Sequence, residues 1–252
     1  MPVTVIKKEE QGKGAFNGGE ILENKPLGFP QDNGLLKPYS NLFYWAHAWT
    51  GKQASTIGEH PHKGFEIMSF VLTGNIEHYD SKQREWLPLK AGDAQIIRSG
   101  SGISHAERID ANSSIFQIWV DPGLEKTMAI PASYSDYKSE DFAVVESGGM
   151  KKKIYSGENG KIDMETENLS IYELSLEPGE HEIKIGMDQT WSGFMLDGRA
   201  QCMDKSFEKK EFVVIENEET IHLHVFEPTT LFVIESPKEP SYKTYRELVS
   251  FG

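Results

Sequence analysis

The sequence predicts an all-β protein made of two β-barrel modules, and three observations point there. Short runs rich in Ile, Val, Phe and Tyr recur along the chain; they are too short for typical helices and suit a pleated, half-buried surface. Gly, Pro, Asn and Asp punctuate these runs at close intervals, as in sandwiches and barrels. The two halves also echo each other. Gly58-Glu59-His60 is followed by Val71-Leu72-Thr73-Gly74, and Gly179-Glu180-His181 by Met195-Leu196-Asp197-Gly198, as a duplicated module would give.

In chain order, residues 65–75, 94–100 and 114–120 read as strands of the first half, and 169–176, 212–216 and 231–235 as strands of the second. Helical periodicity is weak throughout, and residues 241–251 are the best candidate for a short helix. Residues 121–168 lack apolar periodicity and carry Gly148, Gly149, a Lys151-Lys152-Lys153 run, Gly157 and Gly160. They read as a linker with exposed hairpins. The expected organisation is an N-terminal module over 1–130, a linker over 131–168, and a C-terminal module over 169–252 that ends in the helix.

Composition narrows the function. The net charge of −13 comes without any long Lys/Arg-rich block, so direct nucleic-acid binding is not expected, because phosphate contacts need cations. No apolar run approaches the ~18–20 residues of a membrane span. Charges follow the first six residues too closely for a signal-peptide core. The lone Cys202 excludes an intrachain disulfide and a Cys-rich zinc site. A cytoplasmic protein is expected.

The chemistry concentrates in two histidine pairs. In His60-Pro61-His62, positions i and i+2 of a strand send both imidazoles to one side. His105-Ala106-Glu107 repeats that spacing 43 residues after His62. Two such pairs meeting across a barrel interior offer three imidazole nitrogens and one carboxylate oxygen. That set suits one divalent first-row metal: iron, copper, nickel, manganese or zinc. His78 and Asp80 also share a strand face and read as hydrogen-bonding or surface groups. Phe65, Met68, Phe70, Phe116 and Trp119 could wall an apolar pocket, although aromatic residues in strands are more often plain core.

Residues 60–81 (HPHKGFEIMSFVLTGNIEHYDS) and 89–107 (LKAGDAQIIRSGSGISHAE) resemble the paired signature of the pirin family, bicupins of the cupin superfamily. The resemblance implies two cupin-type barrels. It implies a metal, iron first, held by His60, His62, His105 and Glu107, and an activity of the quercetin 2,3-dioxygenase type. Dioxygen would then open a small phenolic, flavonol-like substrate, with Glu107 as both ligand and general base. Cupins in general take a carboxylate ligand from the region of Glu66. In the pirin pattern Glu107 supplies it, and Glu66 supports the site from behind or serves the fold. The second half departs from the pattern: aligning the two Gly-Glu-His tripeptides puts Ile183 where His62 stands, and His222 and His224 lack a partner pair. That half reads as a degenerate barrel retained for packing. Two other readings stay open: a non-enzymatic metal or redox sensor acting through a protein partner, and a metal enzyme of another class on the same scaffold.

Overall fold

A computed structural model describes residues 2–248 and divides the chain into two compact units. The N-terminal unit contains residues 11–141 and 164–166 and the segment that begins at Ser241. Its larger sheet has seven strands in the order Ser133–Tyr137, Ala94–Arg98, Glu66–Thr73, Ser114–Val120, Leu42–Thr50, Ile21–Leu27 and Gly12–Phe16. Its smaller sheet orders Ser55–His62, Ile103–Ile109, Asn75–Asp80 and Trp86–Lys90. All pairings are antiparallel. Ile21, Ala48, Val71 and Ile115 from the large sheet pack against Ile76, Leu89 and Ile109 from the small one. The two sheets therefore close one interior.

The C-terminal unit repeats this plan strand for strand. Its seven-stranded sheet runs Val3–Ile6, Phe212–Ile215, Gln189–Asp197, Thr229–Pro237, Ser170–Leu176, Met150–Ser156 and Ala143–Ser147. Its four-stranded sheet runs Gly179–Lys184, Thr220–Val225, Arg199–Cys202 and Lys205–Glu208. The glycines of the sequence echo occupy equivalent turns. Gly74 and Gly198 have φ of 72° and 88°, and a Cβ there would lie 2.0 Å from Ser113 Oγ and 2.3 Å from Thr229 Oγ1. Both the positive φ and the close approach require glycine.

The units are drawn differently from the expected boundaries. Ser133–Tyr137 is an edge strand of the first sheet, and Ala143–Ser147 with Met150–Ser156 forms a hairpin that extends the second. Ser133–Tyr137 and Ala143–Ser147 are edge strands, paired on one side only; such strands need little apolar periodicity, so their sequences resemble linkers. Val3–Ile6 pairs with Phe212–Ile215, which puts residues 2–10 in the C-terminal unit. The expected C-terminal helix is a single turn, Tyr245–Leu248, and residues 249–251 of that expectation lie outside the described residues. Among the described residues an α-helical turn at Leu124–Thr127 was not expected. No helix among the described residues is long and apolar enough to cross a membrane.

Candidate metal centre

The inner face of the four-stranded N-terminal sheet brings the two histidine pairs together. His60 lies directly opposite His105, and His62 opposite Ile103. Between Ile57 and His60 the outer strand carries one residue more than its partner does between Glu107 and His105, a bulge that re-aims the side chains beyond it. The ring centroids of His60, His62 and His105 are 4.5, 4.8 and 4.9 Å apart. One ligand atom from each lies within 4.8 Å of the other two. His62 also lines a solvent-open cleft of about 480 Å³ with Lys63, Ser81 and Gly102.

His62 and His105 are in the state a metal requires. Burial, followed by the neighbouring histidines, pushes His62 and His105 down to about 3, so both are neutral near pH 7. His62 Nε2 and both ring nitrogens of His105 are buried without a hydrogen-bond partner, a costly arrangement unless something else binds them. His60 donates Nδ1–H to the Gly58 carbonyl at 2.8 Å, which fixes the tautomer with Nε2 free. The residues present fit a divalent first-row ion.

Glu107 does not join that triad. It follows His105 on the same strand face and is fully buried, but its carboxylate is taken up by other groups. Oε1 accepts from Ser69 Oγ at 2.7 Å and Gln95 Nε2 at 2.9 Å, and Oε2 accepts from Gln117 Nε2 at 2.5 Å. Gln117 Oε1 accepts from Trp119 Nε1 at 3.3 Å, and Gln95 Oε1 from Tyr134 OH at 3.1 Å. His78 and Asp80 are buried hydrogen-bonding groups, paired at 2.8 Å, with the His78 ring stacked on Tyr134. Burial alone would raise Asp80. The Gln83 N–H, His78 and the Lys82 N–H outweigh it and hold the carboxyl below its usual range.

The expected pocket wall is only partly there. Trp119 sets its ring edge-on to His62 at 4.8 Å and packs with Phe29, Phe43 and Tyr44. Phe65 joins the same group through Phe43 and Tyr245. Met68, Phe70 and Phe116 do not line the site. Ser69 and Gln117 point at Glu107 from inside the barrel, so their strand neighbours point the opposite way; Phe116 packs there on Trp45 and His47. Glu66 shares that outward phase. It accepts from the Glu165 N–H at 2.8 Å, the Thr166 N–H at 3.0 Å and Thr166 Oγ1 at 2.5 Å. Burial raises it against those bonds. Glu66 anchors the 164–166 segment.

Ser69, Gln95, Gln117 and Tyr134 were missed by sequence reasoning. Ser69 and Gln117 did leave a signal, as polar residues on one phase of otherwise apolar strands.

The repeated strand order supplies an internal comparison. Val225 pairs with Ala200 and Gly179 as Ile109 pairs with Ile76 and Ser55. Counting from there, Leu223 stands at the register of Glu107, Ile221 at that of His105 and Ile183 at that of His60. Ile185, whose N–H donates to the Glu219 carbonyl, stands at that of His62. All four belong to the apolar core of the second barrel. The second barrel's Gly179–Lys184 strand lacks the bulge, so aligning the two Gly-Glu-His tripeptides misplaces Ile183 by one position on the strand face. His181 donates Nε2–H to the Glu177 carbonyl at 2.7 Å. His222 and His224 lie outside, opposite Glu182 and Glu180. Cys202 takes the register of His78, and burial pushes its thiol up to about 11.

The family model described as Pirin matches residues 34–120. "Pirin-1" of Arabidopsis thaliana is 28% identical over 207 residues, covering 77% of this chain and 66% of the relative. The "Pirin-like protein" of Caulobacter vibrioides is 27% identical over 62% of this chain and 57% of its own length. The chain thus spans less than two thirds of these relatives. The "Quercetin 2,3-dioxygenase" of Escherichia coli K12 is 42% identical over 70 residues, 26% of this chain and 29% of that protein. Among solved structures, the bacterial pirin YhhW of Escherichia coli in complex with nickel(II) superposes with a TM-score of 0.76 at 20% identity, over 93% of this chain and 99% of that one. A quercetin 2,3-dioxygenase of Acinetobacter baumannii gives 0.77 at 20% identity, over 97% and 89%.

Proposed function

The chain belongs to the pirin family of bicupins, and on that premise we propose that it is a metal-dependent dioxygenase acting on a small phenolic, flavonol-like substrate. One observation carries the reading: three imidazoles converge inside the N-terminal barrel, and His62 and His105 hold buried nitrogens without a hydrogen-bond partner. Relatives named for quercetin 2,3-dioxygenase activity support the reaction class. Iron is the first choice of metal, and nickel is the ion in the complex of the Escherichia coli pirin.

His60, His62 and His105 would hold the ion, with the Gly58 carbonyl fixing the His60 ring. A divalent ion held there supplies a Lewis acid with affinity for an enol oxygen and for dioxygen. Every other contribution comes from the chain. Trp119, edge-on to His62, presents an apolar ring to an aromatic substrate entering by the open cleft. Glu107 is the acceptor for the proton of the substrate hydroxyl, since a carboxylate can accept at more positions than its three donors fill. Ser69, Gln95 and Gln117 replace water around that carboxylate.

The test is oxygen uptake by iron-, nickel- or copper-loaded protein with a panel of flavonols, with His62→Ala as the control. Uptake that tracks bound metal and disappears in the variant supports the reading. Turnover without oxygen, or no turnover with any metal, overturns it.

A further inference from the structure

Resting on that metal-site reading, we propose that Ser69, Gln95 and Gln117 form a clamp whose purpose is to position Glu107 toward the three-histidine site, with one acceptor position of Oε2 left open. The first argument counts lone pairs. Oε1 receives two donors and Oε2 one. A carboxylate oxygen has two in-plane acceptor positions, so the one unfilled position is on Oε2. The clamp is itself locked. Trp119 Nε1–H can only donate, which forces Gln117 to point its oxygen at the indole and its NH₂ at Glu107. Gln95 is held from the carboxylate side: Glu107 only accepts, so Gln95 turns its NH₂ there and to Ser69 Oγ at 3.1 Å, and its Oε1 accepts from Tyr134 OH. Neither amide can turn over without breaking its hydrogen bond to Glu107.

The second argument uses the twin barrel as a control within the same chain. In the first barrel Ser69 pairs with Gln95 on one side and Gln117 on the other. In the second, Gly193 pairs with Val213 and Val233 in the same registers. Val213 and Val233 belong to that barrel's apolar core, with Leu223 at the register of Glu107. This fold therefore closes with small and apolar residues at all four positions. Burying a serine, two amides and a carboxylate there is a cost the fold does not require. The four polar residues stand or fall together, and they occur in the barrel that carries the histidines.

The twin also names variants whose side chains this backbone accommodates: Ser69→Gly, Gln95→Val and Gln117→Val, each in the natural chain and in a Glu107→Leu background. Gln117→Met, which keeps the volume without polar atoms, replaces any variant that fails to fold. The readouts are the dissociation constants of Co²⁺ and Ni²⁺ by calorimetry and the visible absorption spectrum of the Co²⁺ form. In the natural background Gln95→Val and Gln117→Val should weaken binding roughly 10–100-fold, the range seen when partners that orient the groups around a bound metal are lost, and should alter the spectrum. In the Glu107→Leu background the same changes should move affinity by no more than about 2-fold and leave the spectrum unchanged. Equal weakening in both backgrounds would overturn the clamp, since the residues would then serve the fold. So would unaltered affinity in the natural background, and in that case the metal site itself would stand. Failure of the natural protein to bind either ion would instead remove the site, and the clamp with it.

Discussion

Glu107→Gln should reduce oxygen uptake per bound metal by about 10²–10⁴-fold, the range of a lost general base. Glutamine has nearly the same shape, but the structure shows that it cannot be accommodated passively. Its carbonyl can replace Oε1 and keep Ser69 and Gln95 as donors. Its NH₂ then faces the Gln117 NH₂, where Oε2 accepts now at 2.5 Å. Gln117 would have to turn over, and its NH₂ would then meet Trp119 Nε1–H, another donor. One donor is left unpaired wherever the conflict settles. The cost is ~1–3 kcal/mol for a fully buried group, and about 1 kcal/mol here because the indole nitrogen is only partly buried.

Trp119→Phe removes that conflict and keeps an aromatic edge against His62. The double variant should therefore recover about 1 kcal/mol relative to the sum of the single changes, or ~2–4 °C in melting temperature for a chain of this size. The coupling is the quantity to read, because removing a buried charge adds its own contribution to the single variant. Turnover should stay suppressed in the double variant, since phenylalanine restores packing and not the proton acceptor. The assays are oxygen consumption normalised to metal content, and thermal melts of the four proteins in the cycle. Near-normal activity per metal in Glu107→Gln would end the base assignment. Zero coupling would show that no Trp119–Gln117–Glu107 chain operates.

In metal-free protein the melting temperature should fall as pH drops from ~6.5 toward 3. His62 and His105 titrate at about 3 when folded against ~6.5 unfolded, so in that window the unfolded state binds more protons and stability is lost on acidification. His62→Ala/His105→Ala should flatten the profile between pH 7 and 5, and a slope unchanged in that variant would refute the argument. Glu66→Gln should cost about 1–3 kcal/mol in denaturant unfolding, because an amide cannot accept from the Glu165 and Thr166 N–H groups on both its atoms. It should leave activity per metal unchanged, and a large fall there would place Glu66 in the chemistry. Ile183→His should destabilise the chain by about 1–3 kcal/mol through an unpartnered imidazole in the apolar core. It should add no bound metal, and a second ion in elemental analysis would contradict the register derived from the repeat.

Local chemistry determined much of this protein in advance. Strands were legible because Ile, Val, Phe and Tyr runs stop at turn residues, and the histidines because positions i and i+2 of any strand share a face. Gly74 and Gly198 marked the repeat because a positive φ at a tight turn leaves almost no other choice. The rest depended on which surfaces meet. The run Glu66–Thr73 is buried on both faces for most of its length, so no alternation in the sequence told which phase looks inward. Only contact with Glu107 shows that it is the phase of Ser69, which sends Met68 and Phe70 the other way. The bulge between Ile57 and His60 leaves no mark in composition, yet it shifts every equivalence between the barrels beyond it. Val3–Ile6 completes a sheet with Phe212–Ile215, more than 200 residues away. Backbone pairing carries no side-chain code for its partner, so distant strand order and the donors that surround Glu107 are set when the sheets close and not before.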